Sequence, residues 1–334
     1  MIATARARRA PATAVEIDGP GMRLRGTRLF LDSPRPTELA FVSHAHSDHI
    51  ARHRQIIATA FTLDLLARRV GTPQVPLPAP FRQPFSVGPV ELELFPSGHV
   101  LGAAQLRATV NGQRIVYTGD LNPAGSLTAE ACEVASCDVL VIESTFGRPR
   151  YRFPPREEVY EQVRSFARSA LADGHTPVFL AYPLGKSQEA IRLLASGGFS
   201  VAVHASIADV CDIYARHGCV LTYRRFDGAS RLGEVLVFPP HLARSRAVAK
   251  LGPVRTAVLT GWALDSGSRH RFGAQASIPL SDHADFDGLV TYIRQSGARR
   301  VVTVHGFAKE LAAWLRDHGI EAHPLEEPRQ MELF

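Results

Sequence analysis

The chain has 334 residues, 45% of them hydrophobic and 21% charged, long enough for two domains or one domain with a large insertion and apolar enough for an ample core. That balance excludes an intrinsically disordered or collagen-like protein. Lysine and arginine outnumber aspartate and glutamate by 38 to 32, a formal net charge of +6, which favours a polyanionic partner over a cationic one.

The opening MIATARARRA carries arginines with no long apolar run behind it, and no stretch of about eighteen apolar residues occurs. The expectation is a cytoplasmic chain with a disordered segment over 1–14, no secretory signal and no membrane span. From residue 15 short apolar runs alternate with turn residues. MRLRGTRLFLD, LAFVSHAHSDH, VELELFPSGH and RIVYTGD read as strands, and HIARHRQIIAT and TLDLLARRV as short helices, so residues 15–147 predict a mixed α/β sandwich. DVLVIEST is a continuous apolar strand that ends at Glu143, after which GRPRYRFPPRE marks a boundary.

Over 148–277 the reading is a second α/β domain. EEVYEQVRSFARSALADG is an amphipathic helix ended by Gly174, and PVFLAYP leads into a helix over 186–195. FSVAVHAS, SIADVCDIYARHG, EVLVFPP and AVAKLG continue the alternation, which predicts a parallel sheet. Over 278–334 the segments IPLSDHADFDGLVTYIRQSG, RRVVTVHG and AKELAAWLRDHG return to the character of the first half. Cys132, Cys137, Cys211 and Cys219 lack C-x-x-C pairing and read as buried, inert thiols.

The densest chemical signal is His44-Ala45-His46-Ser47-Asp48-His49, four metal-capable side chains in six residues where an apolar strand meets a turn. Side chains two apart at a strand end share a direction, so His44 and His46 suit one ion, while Asp48 and His49 can face a second. A solvated histidine-rich loop or a single structural zinc would give the same string. His99, Asp120 and His305 also end predicted strands, where an active-site rim is built, and a carboxylate such as Asp120 can bridge two cations.

The strings HAHSDH at 44–49, SGHVLGAAQ around His99 and YTGDLN around Asp120 resemble the successive metal motifs of the metallo-β-lactamase superfamily. IESTFG with Glu143, SDHAD with His283 and VVTVHG with His305 resemble motifs A, B and C of its β-CASP nuclease branch, and YPLGKSQEAIRLL is similar to that branch's phosphate-side G-R-x-Q-E pattern, with Lys186 in place of arginine. In length and in its short insertion the chain most resembles bacterial DNA ligase-associated exonucleases.

The resemblance implies an αββα sandwich with an inserted β-CASP-like cap, and two divalent ions, zinc first and manganese as the alternative. It places His44, His46 and His99 on one ion, Asp48, His49 and His305 on the other, and Asp120 between them. Asp48 accepts a hydrogen bond from the attacking water and orients it, Asp120 between the ions belongs to the same catalytic set, and His283 held by Glu143 serves the leaving oxygen. Ser144, Arg148, Lys186 and Gln188 are the candidate phosphate contacts; Arg150, Arg152, Arg224, Arg225, Arg244 and Arg246 fit either phosphate contact or a solvated face. The implied activity is 5′-to-3′ DNA exonuclease action in repair, in association with a DNA ligase and a helicase. An RNA nuclease, a thioester or lactam hydrolase and an inactive nucleic-acid-binding scaffold are the alternatives.

Overall fold

The computed structural model describes residues 14–19 and 21–325 and arranges them in three sheets. Apart from Ala14, the segment expected to be disordered lies outside the described residues. The first sheet takes its strands in chain order: β1 (Val15–Asp18), β2 (Gly21–Leu24), β3 (Phe30–Leu31), β4 (Leu39–Phe41), β5 (Gln55–Ala58) and β6 (Val75–Pro78). MRLRGTRLFLD, expected as one strand, is β2 and β3 joined by a turn, closed where Leu24 N donates to Leu29 O at 2.9 Å and Thr27 Oγ1 to Leu24 O at 2.8 Å.

The helix expected from HIARHRQIIAT is absent. An irregular segment leads into β5, where Ile57 packs between the sheets and Ile56 packs on the opposite face. An apolar run covered on both faces has no period by which a strand can be told from a helix. TLDLLARRV does form α1 (Ala60–Arg69), N-capped by Thr59, whose hydroxyl accepts from Thr62 N at 3.2 Å. Its Phe61, Leu65 and Leu66 cover the outer face of the first sheet.

The second sheet begins with β7 (Phe85–Val87), β8 (Val90–Pro96), β9 (Ala104–Val110), β10 (Gln113–Tyr117) and β11 (Val139–Glu143). Its period-two pattern is visible in β11: Val139 and Val141 face the first sheet, and Leu140 and Ile142 face outward. Here the chain leaves the sandwich through α2 (Arg156–Ala172) to build a third sheet from β12 (Thr176–Leu180), β13 (Ser200–Val203), β14 (Arg224–Arg225), β15 (Glu234–Phe238), β16 (Val254–Leu259) and β17 (Ala276–Ile278). Every pairing in it is parallel, in the order β14-β13-β15-β12-β16-β17. With α2, α3 (Lys186–Ser196) and α4 (Ala205–Arg216) cover one face; the segment with α5 (Arg246–Ala249) and α6 (Ser268–Arg271) lies on the other side of the sheet's core.

The chain then returns through α7 (Phe286–Ser296), β18 (Arg300–Val304), α8 (Ala308–Asp317) and β19 (Ala322–Pro324), completing the second sheet in the order β19-β18-β11-β10-β9-β8-β7. Phe286, Leu289 and Ile293 of α7 and Leu311 and Leu315 of α8 bury the outer face of this sheet, giving four layers, helix, sheet, sheet, helix. Aromatic contacts help to tie the inserted sheet to the sandwich. Tyr214 of α4 meets Phe61 of α1 edge to face at 5.0 Å, and Phe146 packs with Tyr151, Phe153 and Trp262 at centroid distances of 4.8–5.2 Å. Among the described residues no helix is long and apolar enough to cross a membrane.

Candidate metal centre

The exits of β4, β8, β10, β11, β17 and β18 carry the polar residues singled out in the sequence. His44, His46 and His49 follow β4, His99 follows β8, Asp120 follows β10, Glu143 ends β11, His283 follows β17 and His305 follows β18. Gly119 lets the Asp120 turn come this close, since its φ is +54° and a Cβ there would stand 2.6 Å from Ser43 Cβ.

Asp120 Oδ2 is the hub, 3.3 Å from His44 Nε2, 3.4 Å from His49 Nε2, 3.6 Å from His99 Nε2 and 3.9 Å from His283 Nε2. The other ring nitrogens are tied outward, and their partners settle the tautomers. His99 Nδ1 donates to the Asp282 carbonyl at 2.6 Å and His46 Nε2 to the Leu184 carbonyl at 3.3 Å; a carbonyl only accepts, so each ring's remaining nitrogen keeps a lone pair. Those two nitrogens, His99 Nε2 and His46 Nδ1, lie 3.0 Å apart. His49 Nδ1 donates to Asp32 Oδ2 at 2.9 Å, and His44 Nδ1 to Ser43 Oγ at 2.9 Å, because that hydroxyl gives its own proton to Asp32.

Inward lone pairs with outward N–H groups held by carboxylates and carbonyls are what a divalent cation requires of imidazole ligands. His44 Nε2 is buried with no hydrogen-bond partner, which is the arrangement that a cation completes. His44, His46, His99 and Asp120 each offer one donor atom within 4.8 Å of the others. Asp48 and His305 stand further out. The Asp48 side chain is 78% exposed with its Oδ2 3.6 Å from His49 Nε2, and the exposed His305 ring lies 5.6 Å from that of His49. His305 is held there at φ +59° by Gly306, whose own φ is +48° and whose added Cβ would stand 2.4 Å from Ser144 O.

The electrostatics divide the rings. Burial, then the neighbouring His44 and its companions, holds His46 well below the ordinary histidine value and His99 down to about 3, so both are neutral donors. Burial also opposes a proton on His49, but Asp120 and Asp32 outweigh it and raise this ring to about 10; for His283 burial is outweighed by Glu143 and Asp120, raising it to about 9. Asp120 is held well below the carboxylate range against its burial, chiefly by His49 and His283. A cation held by His49 would take the place of the proton on its Nε2.

Glu143 is fully buried, accepts Leu121 N at 2.6 Å and holds His283 Nδ1 at 3.1 Å. Two carboxylates absent from the sequence-derived candidates complete the site. Asp32, after β3, accepts from Ser43 N at 2.7 Å, Tyr117 OH at 2.8 Å and His49 Nδ1. Asp282, inside the quoted SDHAD string, orients His99 through its carbonyl and pairs its carboxylate with Lys186.

The candidate phosphate contacts are placed differently from what their motif suggested. Lys186 is 6% exposed and its ammonium is held by Asp282. Gln188 is fully buried, its carboxamide bonded to Gly185 N at 2.7 Å and Pro183 O at 2.9 Å, so here it braces the turn and presents nothing to solvent. Ser144 is likewise buried. Arg148 lies 4.0 Å from the Phe307 ring centroid and pairs with Glu310, Arg150 pairs with Asp265, and Arg152 with Asp287. Arg224 pairs with Glu234 and Arg225 with Asp209 and Asp212; Arg244 and Arg246 are exposed. Cys137, Cys211 and Cys219 are buried and Cys132 half-buried, all as free thiols.

Residues 17–203 match the family model described as a beta-lactamase superfamily domain, and residues 274–324 match a Zn-dependent metallo-hydrolase RNA specificity domain. The chain is 37% identical over 317 residues to a "Probable DNA ligase" of Opitutus terrae, an alignment covering 94% of this chain and 31% of that one. It is 23% identical over 268 residues to an RNase J-like protein of Methanocaldococcus jannaschii, covering 65% and 64% respectively. To the endoribonuclease YSH1 of Kluyveromyces lactis it is 28% identical over 116 residues, 34% of this chain and 15% of the relative. The chain thus spans under a third of the ligase-named relative.

Proposed function

The chain belongs to the metallo-β-lactamase superfamily, and from that premise we propose that it is a two-metal DNA exonuclease, hydrolysing phosphodiester bonds from single-stranded ends in the 5′-to-3′ direction. The observation that carries the reading is the convergence on Asp120 of the inward ring nitrogens of His44, His46, His49 and His99, with the Glu143–His283 pair alongside.

His44, His46 and His99 would hold one cation, and Asp48, His49 and His305 a second, with Asp120 shared. Zinc suits the histidine-rich set, and manganese is the alternative because nitrogen and oxygen donors accept several divalent ions. Bound there, the ions would polarise a phosphoryl oxygen and acidify a water for attack in line. Asp48, exposed at the rim, accepts a hydrogen bond from that water and turns its lone pair to phosphorus. His283 protonates the departing oxygen from Nε2, its ring fixed and its proton retained by Glu143. Losing that proton partner slows the step without disturbing the imidazole donors to the ions.

The pathway reading is DNA repair in the cytoplasm in association with a DNA ligase and a helicase; the ligase-named relative supports the ligase part of it. A second reading, an RNA nuclease with the same chemistry, is favoured by the match to an RNA specificity domain and by the RNase J-like relative. Single strands of DNA and RNA labelled at the 5′ or the 3′ end, incubated with zinc or manganese and with His46→Ala and Asp120→Ala as controls, separate the two. Stepwise release of deoxynucleotides by the wild type alone, 5′ label first, is the expected result. Cleavage of RNA with DNA untouched transfers the enzyme to the second reading, and cleavage of neither overturns both.

A further inference from the structure

All strands of the inserted sheet run parallel, so all leave it at one edge, and that edge meets the metal centre through the Leu184 carbonyl on His46 and the Lys186–Asp282 pair. The neighbouring strands β12 and β15 send their connections to opposite faces. After β12 the chain enters α3, whose Ile191 and Leu194 pack with Val201 and Val235; after β15, Leu242 and Val248 pack with Leu180 and Phe238 on the other side. Adjacent parallel strands whose connections part in this way open a crevice beyond their carboxyl ends, the place where open α/β sheets bind flat ligands.

The residue at the mouth of β12 is Tyr182. Val178 through Ala181 are fully buried, yet Tyr182 is 50% exposed, and Ser187 Oγ, by donating to its carbonyl at 2.7 Å, fixes the backbone behind it. The Lys186 ammonium stands 5.5 Å from the ring centroid, on the side that leads to Asp282 and His99. A rigidly mounted, exposed aromatic ring beside a cation and next to a phosphodiester site is what a nucleobase stacks on.

We propose that Tyr182 is the stacking platform for a base of the single DNA strand whose phosphate lies at the metal centre. The proposal rests on the nuclease reading for the identity of the ligand, but it concerns binding and is tested without turnover. Fluorescently labelled single strands are titrated in EDTA against wild type, Tyr182→Ala and Tyr182→Phe, with Kd read by anisotropy. Tyr182→Ala weakens binding by about 5- to 150-fold, the worth of one base stacked on an aromatic ring, and Tyr182→Phe binds as wild type. When one abasic site is moved along the strand, wild type loses the same factor at a single position, and there Tyr182→Ala loses nothing further.

Equal affinity of Tyr182→Ala and wild type for the intact strand overturns the proposal, as does a Tyr182→Phe as weak as Tyr182→Ala. Wild type that binds strands through Tyr182 but cleaves neither DNA nor RNA overturns the nuclease reading and leaves the stacking site standing. Wild type that binds no strand overturns the stacking site, and the nuclease reading is then decided by cleavage with zinc or manganese.

Discussion

Glu143 Oε2 lies 3.1 Å from His283 Nδ1, joining residues 140 apart in sequence at the edge of a cluster neither of them heads. Glu143 sits at the end of β11, fully buried, and its other oxygen accepts Leu121 N, so the carboxylate cannot rotate away from the ring. Glu143→Gln and His283→Ala are expected to lower kcat by about 100- to 10,000-fold, the range of a positioned acid or base, while zinc content by mass spectrometry stays at the wild-type level. The rate of the wild type falls as pH rises through the pKa at which His283 loses its proton. Removing the Glu143 charge lowers that pKa, so the basic limb of the Glu143→Gln profile lies at lower pH; an unmoved limb assigns it to another group.

His46→Ala and Asp120→Ala remove donors from the cluster itself. Each variant should retain less zinc after dialysis than wild type, and the gap in Tm between zinc-loaded and chelated protein, present in wild type because the ion binds only the folded chain, should narrow in both. Wild type whose Tm ignores zinc contradicts the assignment.

Asp32 takes hydrogen bonds from Ser43, Tyr117 and His49 while 6% exposed. Asp32→Asn leaves an amide among donors and is expected to destabilise by about 1–3 kcal/mol and to weaken zinc affinity by about 10- to 100-fold, since His49 loses the acceptor that directs its tautomer. Denaturant unfolding and competition with a chromogenic chelator measure the two effects separately.

In chelated protein His49 is raised from 6.5 to about 10 by Asp120 and Asp32. Its ion pairs therefore stabilise the fold fully below about pH 6.5 and are lost as pH climbs through about 10. Zinc-loaded protein holds this ring neutral and lacks the dependence. Tm measured against pH should thus fall more steeply above neutrality for the chelated form, and parallel curves for the two forms would contradict the placement of His49 at an ion.

Burial pushes the thiols of Cys137 and Cys211 up to about 11 and 12. At pH 8 both are protonated and enclosed, so iodoacetamide should modify them only after denaturant is added, with mass spectrometry of peptides giving the site. Rapid labelling of either in native protein would show that its region opens.

The candidate metal string was legible in the sequence because HAHSDH is one loop, and the exits of β8, β10 and β18 could be located from hydrophobic alternation and turn residues, which act over a few positions. The parallel inserted sheet followed from the same local signals. Other features depended on which elements pack together. Asp32 is an ordinary aspartate after LFL until β3, β4 and β10 bring Ser43, His49 and Tyr117 around it. Ile56 and Ile57 form a strand because both faces are covered by distant residues. Lys186 and Gln188 lie in a string similar to a phosphate-side pattern, yet the partner of one and the burial of the other come from Asp282 and from the turn at Pro183. Periodicity reports which face of an element is apolar; only the closed tertiary structure decides which carboxylate is desolvated against which cation or imidazole, and that choice sets each group's proton.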